Sequence, residues 1–416
     1  MTGPVSPGDS ALGSLKVGWV RAHMPVLEEV RRNLVSARSL AGVSLGLCLH
    51  VEAKTAALAL ALQEAGGQVT MAASNPLSTD DDVVAHLLSQ GLPTYAIKGE
   101  SVEDYHRGIR EVLRASPTIL LDDGADLVAA AVERNGGKRG DIVGSTEETT
   151  TGIVRLRAMQ EKGRLPWPAI AVNDASMKHL FDNRYGTGQS TLDGVMTATN
   201  LVIAGKRVVV AGYGWCGKGL ASRFRGLGAE VVVTEVDPVR ALEARLEGFI
   251  VRPMIEAVPS ADFVITSTGC KDVVRQEHYR VMKDGCVLAN AGHFNVEINL
   301  PDLEGLALSH RTVRPRVEEY LMADGRRIYV LAEGRLINLA AGQGHPAEIM
   351  DLSFSLQALS AEHLHQHGRA LPPGLLPVPP ELDLHVARTA LAPFDARLDE
   401  LTEEQRRYLA SWEGGT

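Results

Sequence analysis

The sequence predicts an α/β fold built from two parallel-sheet units in one chain. Three observations predict it. Apolar runs alternate with helical stretches between residues 43 and 124, the rhythm of a parallel sheet wrapped by helices. A second series with the same rhythm starts near residue 190 and contains a glycine-rich turn. The chain has 416 residues, and a single hydrophobic core stops growing at about 250–300 residues.

In chain order, residues 16–40 carry apolar and Arg/Glu positions at helical spacing and are expected to be helical. VSLGLCLH (43–50) reads as a strand, followed by an Ala-rich helix. QVTMAAS (68–74), a helix near 80–90, PTYAIKG (93–99), a helix near 102–114 and TILLDDG (118–124) continue the alternation. Ligands of such sheets sit at the carboxyl ends of the strands. His50, Ser78 and Asp123 each follow a predicted strand end, which gathers three polar groups around one crevice. The Pro-rich stretch 371–383 reads as a linker or extended crossing, and LTEEQRRYLASWEGGT as a short helix with a frayed end.

Gly212-x-Gly214-x-x-Gly217 follows the apolar run VVVAG and opens a helix. Glycines at this spacing permit a tight turn, close approach to a pyrophosphate and close helix–strand packing, and the helix N-terminus offers free N–H groups. The next strand ends at Glu235, roughly 20 residues on, where an acid accepts from a ribose 2′-hydroxyl and repels a 2′-phosphate. This is the pattern of a Rossmann-type NAD site.

A formal net charge of −9 without a long Lys/Arg run argues against nucleic acid or an anionic membrane as partner. No apolar run reaches the roughly 20 residues of a membrane span, and the first 14 residues lack the pattern of a signal peptide. The four cysteines are scattered, which suits reduced thiols and a cytoplasmic location. His363, His365 and His367 are spaced by two, which does not bring all three onto one helical face, so no metal site is expected there.

Several longer segments carry more information: CLHVEAKTA, SNPLSTDDD, LLDDGADL, STEETTTG, VNDASMKHLFDNRYG, VVAGYGWCGKG, TEVDP, NAGHFNVEI, AEGRLINL and GHPAEIMDLSF. In these segments, and in their order, the chain resembles the S-adenosyl-L-homocysteine hydrolase family. The resemblance implies a split substrate-binding domain (1–185 and 345–385), a central NAD-binding domain (190–344), a C-terminal arm (386–416) and a homotetramer. It implies a nucleoside thioether as substrate and a redox route: the ribose 3′-hydroxyl is oxidised, the C4′ proton becomes acidic, the thiol leaves, water adds and the ketone is reduced again.

On this resemblance Lys178 and Asp182 handle the 3′-hydroxyl, Asp123 acts on the C4′ proton, His50 assists the leaving thiol and the water, and Glu148 contacts the ribose hydroxyls. Glu52, Lys54, Ser78, Asn173, His293 and His345 belong to the substrate side, and Thr149, Thr150, Thr151, Asn183 and Asn338 to the NAD side. Alone, these residues have plainer readings. Lys178 and Asp182 would be a helix-surface ion pair. Ser145-x-x-Glu148 fits a helix capping box, which would turn Glu148 back onto the backbone. A base role for Lys178 needs burial to outweigh the nearby carboxylate.

Two departures from the family pattern stand out. Better-known members read His-x-Thr-x-Glu where this chain has His50-Val51-Glu52-Ala53-Lys54. Ionised Glu52 only accepts and Lys54 only donates, so one arrangement suits hypoxanthine and the crossed one adenine. The sequence also ends at WEGGT, without the Lys/Tyr tail of longer members, and either looser NAD retention or a cross-subunit contact made some other way is expected.

Overall fold

The computed structural model describes residues 6–394 and 396–412. The early strands are β1 (Ser44–Leu49), β2 (Gln68–Ala73), β3 (Thr94–Tyr95), β4 (Ile119–Asp122), β5 (Gly144–Glu147) and β6 (Pro168–Ala171). The second set is β7 (Arg207–Ala211), β8 (Glu230–Thr234), β9 (Ile250–Val251), β10 (Phe263–Thr266), β11 (Cys286–Asn290), β12 (Ala307–Arg314), β13 (Val317–Met322) and β14 (Arg327–Leu331), and β15 (Gly374–Pro377) returns to the first. They form a seven-stranded sheet, ordered β15-β6-β5-β4-β1-β2-β3, and an eight-stranded sheet, ordered β12-β13-β14-β11-β10-β7-β8-β9. The first is parallel throughout, and β12–β14 add antiparallel pairs to the second.

The parallel strands of both sheets are covered on both faces, as parallel sheets require, while the antiparallel edge strand β12 is exposed along most of its length. Leu45, Leu47 and Leu49 of β1 enter one core, while Cys48 between them faces the other. Val208 and Val210 of β7 likewise point away from Val209. The order β9-β8-β7-β10-β11-β14 is that of a dinucleotide-binding sheet, with its switch point between β7 and β10. The first sheet switches between β1 and β4, the strands that lead into His50 and Asp123.

Two expectations are corrected. Residues 16–40 are two helices, Ser10–Ala22 and Pro25–Ala37. Pro25 forces the break, because the residue before a proline is disfavoured in helical conformation, and Met24 has φ −126° and ψ 62°. The Pro-rich stretch 371–383 is no linker. Its residues Gly374–Pro377 form β15, paired in parallel with β6, and Pro380 opens the helix Pro380–Leu391. Proline is tolerated on an edge strand and at a first helical position, where no N–H is needed. The final segment holds the helix Glu403–Ala410, and residues 1–5 and 413–416, part of the chain-end readings above, lie outside the described residues.

The segment after residue 344 is tied to the first sheet by carboxylate caps. Asp351, on the helix Ala347–His367, accepts from the N–H groups of Val26 (2.9 Å) and Leu27 (2.6 Å). Asp383 accepts from Ser176 and Met177, both at 2.9 Å, at the start of the turn that carries Lys178. Such caps satisfy helix N–H groups that otherwise lack partners.

Candidate active site

A cavity of about 1400 Å³ lies between the two sheets, at the carboxyl ends of β1, β4, β7 and β10. It exceeds the roughly 300–1,000 Å³ of an ordinary ligand pocket, so it has room for a cofactor and a second molecule. His50, Glu52, Lys54, Asp123, Glu148 and Lys178 line it, as do Asp182, Asn183, His293 and His345. From the cofactor half come Thr149, Thr150, Thr151, Gly212, Gly214, Glu235 and Asn338.

Lys178 stands at the centre. Residues His179–Gly186 are wound as a π-helix, so residues four and five positions on both reach back to it. Its Nζ lies 3.1 Å from Asp182 and 3.4 Å from Glu148, and donates to Asn183 Oδ1 at 2.8 Å. Lys178 is only 4% exposed, so the surface ion-pair reading fails. Burial pulls its pKa down, but Asp182 and Glu148 outweigh burial and hold it above the ordinary lysine value. The condition for a neutral lysine base is therefore not met. Burial also disfavours charge on Asp182, yet Lys178 and His345 hold its carboxyl below the usual range. His345 Nδ1 is 3.0 Å from Asp182, and Ser353 donates to the other carboxylate oxygen at 2.7 Å.

The capping-box reading of Glu148 also fails. Ser145 lies inside β5, where its hydroxyl accepts from Trp167 at 3.1 Å, and the following helix, Thr150–Glu161, starts after Thr149, with no side-chain cap. Glu148 is left facing the cavity, with Gln357 donating to it at 2.5 Å. Burial, opposed by Lys178 and supported by Asp182, pushes its pKa up to about 7.

His50 Nε2 is 3.3 Å from Asp123, and its Nδ1 is 2.6 Å from Ser78 Oγ. The Ser78 hydroxyl proton goes to the Asn75 carbonyl at 2.9 Å, so Ser78 accepts from Nδ1–H and leaves Nε2 toward the cavity. Burial, against the pull of Asp123, holds the His50 pKa below its ordinary value. Asp123 Oδ1 is buried with no hydrogen-bond partner, and His293 Nδ1 approaches it at 3.7 Å. Ser78 and Asn173 do not line the cavity. Ser78 sits behind His50, and Asn173 Oδ1 accepts from Asn183 at 3.0 Å and from Thr150 at 3.2 Å.

Glu52 and Lys54 bind each other at 2.7 Å, and Lys54 Nζ also donates to the Gln343 carbonyl at 3.0 Å. Glu52 further caps the helix Ala53–Glu64 through the Lys54 N–H, at 3.1 Å. Both line the cavity, which gives it a donor and an acceptor side by side.

The cofactor half fits NAD. Gly212 has φ +96°, a conformation open to glycine. A Cβ on Gly217 would stand 2.0 Å from the Gly212 carbonyl, so packing excludes a side chain there. A Cβ on Gly214 would meet only Arg240, at 3.7 Å; its glycine is explained by a ligand passing close, not by the protein. The helix Trp215–Gly226 has no side-chain cap, leaving its first N–H groups for phosphate. The Glu235 carboxylate is fixed by the N–H groups of Tyr213 (2.7 Å), Val236 (2.7 Å) and Asp237 (3.0 Å), at the ribose position. Asn338 donates to Ser190 at 3.1 Å, and its buried Oδ1 has no partner, as an acceptor for a carboxamide would require.

Ser353, Gln357 and Glu147 belong to the site and escaped the sequence reading. Ser353, Gln357 and Ser360 form a fully buried polar row at helical spacing on Ala347–His367. Polar residues at positions i, i+4 and i+7 of an otherwise apolar stretch were the available signal.

A nucleotide-binding sheet and a buried ring of carboxylates, lysine and histidines open into one cavity, which defines an enzyme that uses NAD. Residues 8–139 match the family model S-adenosyl-L-homocysteine hydrolase, and residues 183–344 match its NAD binding domain. The chain is 54% identical over 404 residues to an adenosylhomocysteinase of Thermococcus kodakarensis, covering 97% of this chain and 96% of that one. It is 53% identical over 405 residues to an adenosylhomocysteinase of Aquifex aeolicus, covering 97% of each. It is also 53% identical over 406 residues to an S-inosyl-L-homocysteine hydrolase of Methanothermobacter thermautotrophicus, covering 97% of each. The chain belongs to the S-adenosyl-L-homocysteine hydrolase family.

Proposed function

We propose that this enzyme catalyses the reversible, NAD-dependent hydrolysis of S-adenosyl-L-homocysteine to adenosine and L-homocysteine. The carrying observation is Lys178 held between Asp182 and Glu148 in the cavity that Asn338 and Gly214 also line. Bound NAD supplies a reversible hydride acceptor for the ribose 3′ carbon. Lys178, as an ammonium, donates to the 3′ oxygen and steadies the charge that develops there. Asp182 and its partner His345 give the departing proton a path, and Glu148 accepts from a ribose hydroxyl. Asp123, with its unpartnered oxygen, takes the C4′ proton; His50 Nε2, an acceptor 3.3 Å from Asp123, receives that proton and passes it to the leaving sulfur, then takes a proton from the incoming water, which Asp123 returns to C4′. Ser78 orients His50, and Asn173 acts through Asn183 on Lys178.

A second reading, the same chemistry on S-inosyl-L-homocysteine, is compatible with Glu52 and Lys54, which can face either base, and is supported by the similarity to an S-inosyl-L-homocysteine hydrolase. For organisation, we propose residues 1–185 with 345–385 as the substrate-binding part, 190–344 as the NAD-binding part and 386–416 as an arm, in a cytoplasmic homotetramer. Exposed Val239, Leu242 and Leu246 support an interface on the helix Pro238–Leu246. No described helix is long and apolar enough to cross a membrane.

Rapid mixing with substrate tests the redox route. Reduced-nicotinamide absorbance is expected to rise and fall while thiol is released. Reduced cofactor that accumulates without thiol would make the protein a dehydrogenase, and no signal of either kind would make it a binding protein.

A further inference from the structure

Two strand ends carry carboxylate doublets, Asp122-Asp123 after β4 and Glu147-Glu148 after β5. Register pairs Asp122 with Glu147. Asp123 and Glu148 face the cavity, whereas Asp122 and Glu147 lie behind them with no exposed surface. The hidden members bind backbone. Asp122 accepts from the N–H of Asp123 (3.0 Å) and of Val128 (2.8 Å). Glu147 is more unusual, since one oxygen, Oε1, accepts from the N–H of Gly124 at 2.9 Å and of Thr149 at 3.0 Å. Those two N–H groups follow directly on the outward carboxylates Asp123 and Glu148. Arg155 closes the same turn by donating to the Gly124 carbonyl, and reaches Asp126 at 2.7 Å.

Gly152 seals this arrangement. A Cβ there would stand 2.1 Å from the Glu147 carboxyl carbon, so the helix Thr150–Glu161 can lie against the carboxyl only with glycine at that place. The Glu147 carboxyl is thus wedged between the Asp123 turn, the Glu148–Thr149 turn and the helix whose first residues line the NAD side.

We propose that Glu147 is a positioning residue: its Oε1 locks the turn bearing the C4′ base and the turn bearing the ribose and NAD contacts into one body, so that base and cofactor sides move together. This rests on the proposed function. The groups around it are Asp122, Asp123 and Cys48, and no cation touches it among the described residues. Burial, reinforced by Asp122 and Asp123, drives its pKa well above the usual carboxylate range. Because Oε1 alone accepts both N–H groups, an amide oxygen in the same place can hold the two turns as well.

Glu147→Gln, Glu147→Leu and Gly152→Ala test this, with kcat, KM, the pH profile and retained NAD after gel filtration measured for each. Glu147→Gln is expected to keep kcat within about threefold and the wild-type pH profile. Glu147→Leu leaves both N–H groups without an acceptor; misplacement of a reacting group by about 1 Å costs on the order of 100-fold in rate, and that loss is expected in kcat with KM little changed. NAD loss is expected to rise with it. Gly152→Ala keeps the carboxyl but displaces it, and should reproduce the Leu pattern even where Glu147→Leu fails to fold. A Gln variant as damaged as Leu, or a folded Ala variant with wild-type kcat and NAD retention, would overturn the proposal. Absence of thiol release from the wild type would instead strike the functional reading, while NAD retention would still report on the clamp.

Discussion

Replacing Lys178 by Met removes the ammonium that faces Asp182 at 3.1 Å and Glu148 at 3.4 Å. Both carboxylates stay buried, at 2% and 5% exposure, and lose their shared counter-charge. Removing one partner of a buried ion pair costs about 3–5 kcal/mol, because the remaining charge is uncompensated. For a unit of this size that corresponds to a fall in melting temperature of roughly 6–20 °C. The loss is pH-dependent, and its sign follows from the shifts. In the wild type the Asp182 pKa is depressed, so its stabilisation is full above about pH 3.9 and is lost only as pH falls through the folded value. In the variant the carboxyl pKa values rise above their unfolded values, so each costs stability at high pH and the cost fades as they protonate. The gap between the two proteins should be widest near about pH 8 and narrow toward about pH 5. Urea unfolding across that range measures it. The same change should lower kcat by about 10²–10⁴, the usual share of a positioned proton-handling group. A gap below about 1 kcal/mol at every pH would refute the buried-cluster reasoning, since that is the value of a surface pair.

Asn338→Ala should weaken NAD binding by about one to two orders of magnitude, because it removes a fixed buried acceptor; gel filtration followed by cofactor assay checks it, and unchanged retention would contradict the assignment. Glu148 has its pKa pushed up to about 7 by burial, so it costs stability as pH rises from about 4 toward 7. Glu148→Gln should flatten that part of the stability profile and remove the acid limb of kcat near pH 7, and a limb that persists would assign it to another group. Lys54→Ala frees Glu52 from its 2.7 Å partner and should change the ratio of adenosyl to inosyl turnover by about tenfold or more. An unchanged ratio would remove the pair from base recognition.

The alternation of strands and helices, the glycine turn and Glu235 were legible because each is a local pattern with a local cause. The cavity residues at strand ends were legible for the same reason: His50 and Asp123 had to emerge at carboxyl ends of a parallel sheet. Four features were not. The π-winding of His179–Gly186, which lets Asp182 and Asn183 both reach Lys178, has no signature in spacing alone. Proline at 371–383 looked like a breaker, although an edge strand and a helix start are places where a missing N–H costs nothing. The partners supplied from afar, Ser353 to Asp182 and Gln357 to Glu148, depend on a helix about 170 to 210 residues away in sequence. The charge state of Lys178 likewise depends on how closely two carboxylates pack around it, which spacing does not give.

Homocysteine release, followed with a thiol reagent, from S-adenosyl- and S-inosyl-L-homocysteine side by side with saturating NAD tests both the reaction and the base. Release from the adenosyl compound in excess over the inosyl compound is the predicted result, with Glu52 and Lys54 accepting and donating in the adenine arrangement. Release mainly from the inosyl compound would keep the mechanism and contradict the assigned base. Release from neither, with NAD bound, would contradict the roles given to His50, Asp123, Lys178 and Asp182.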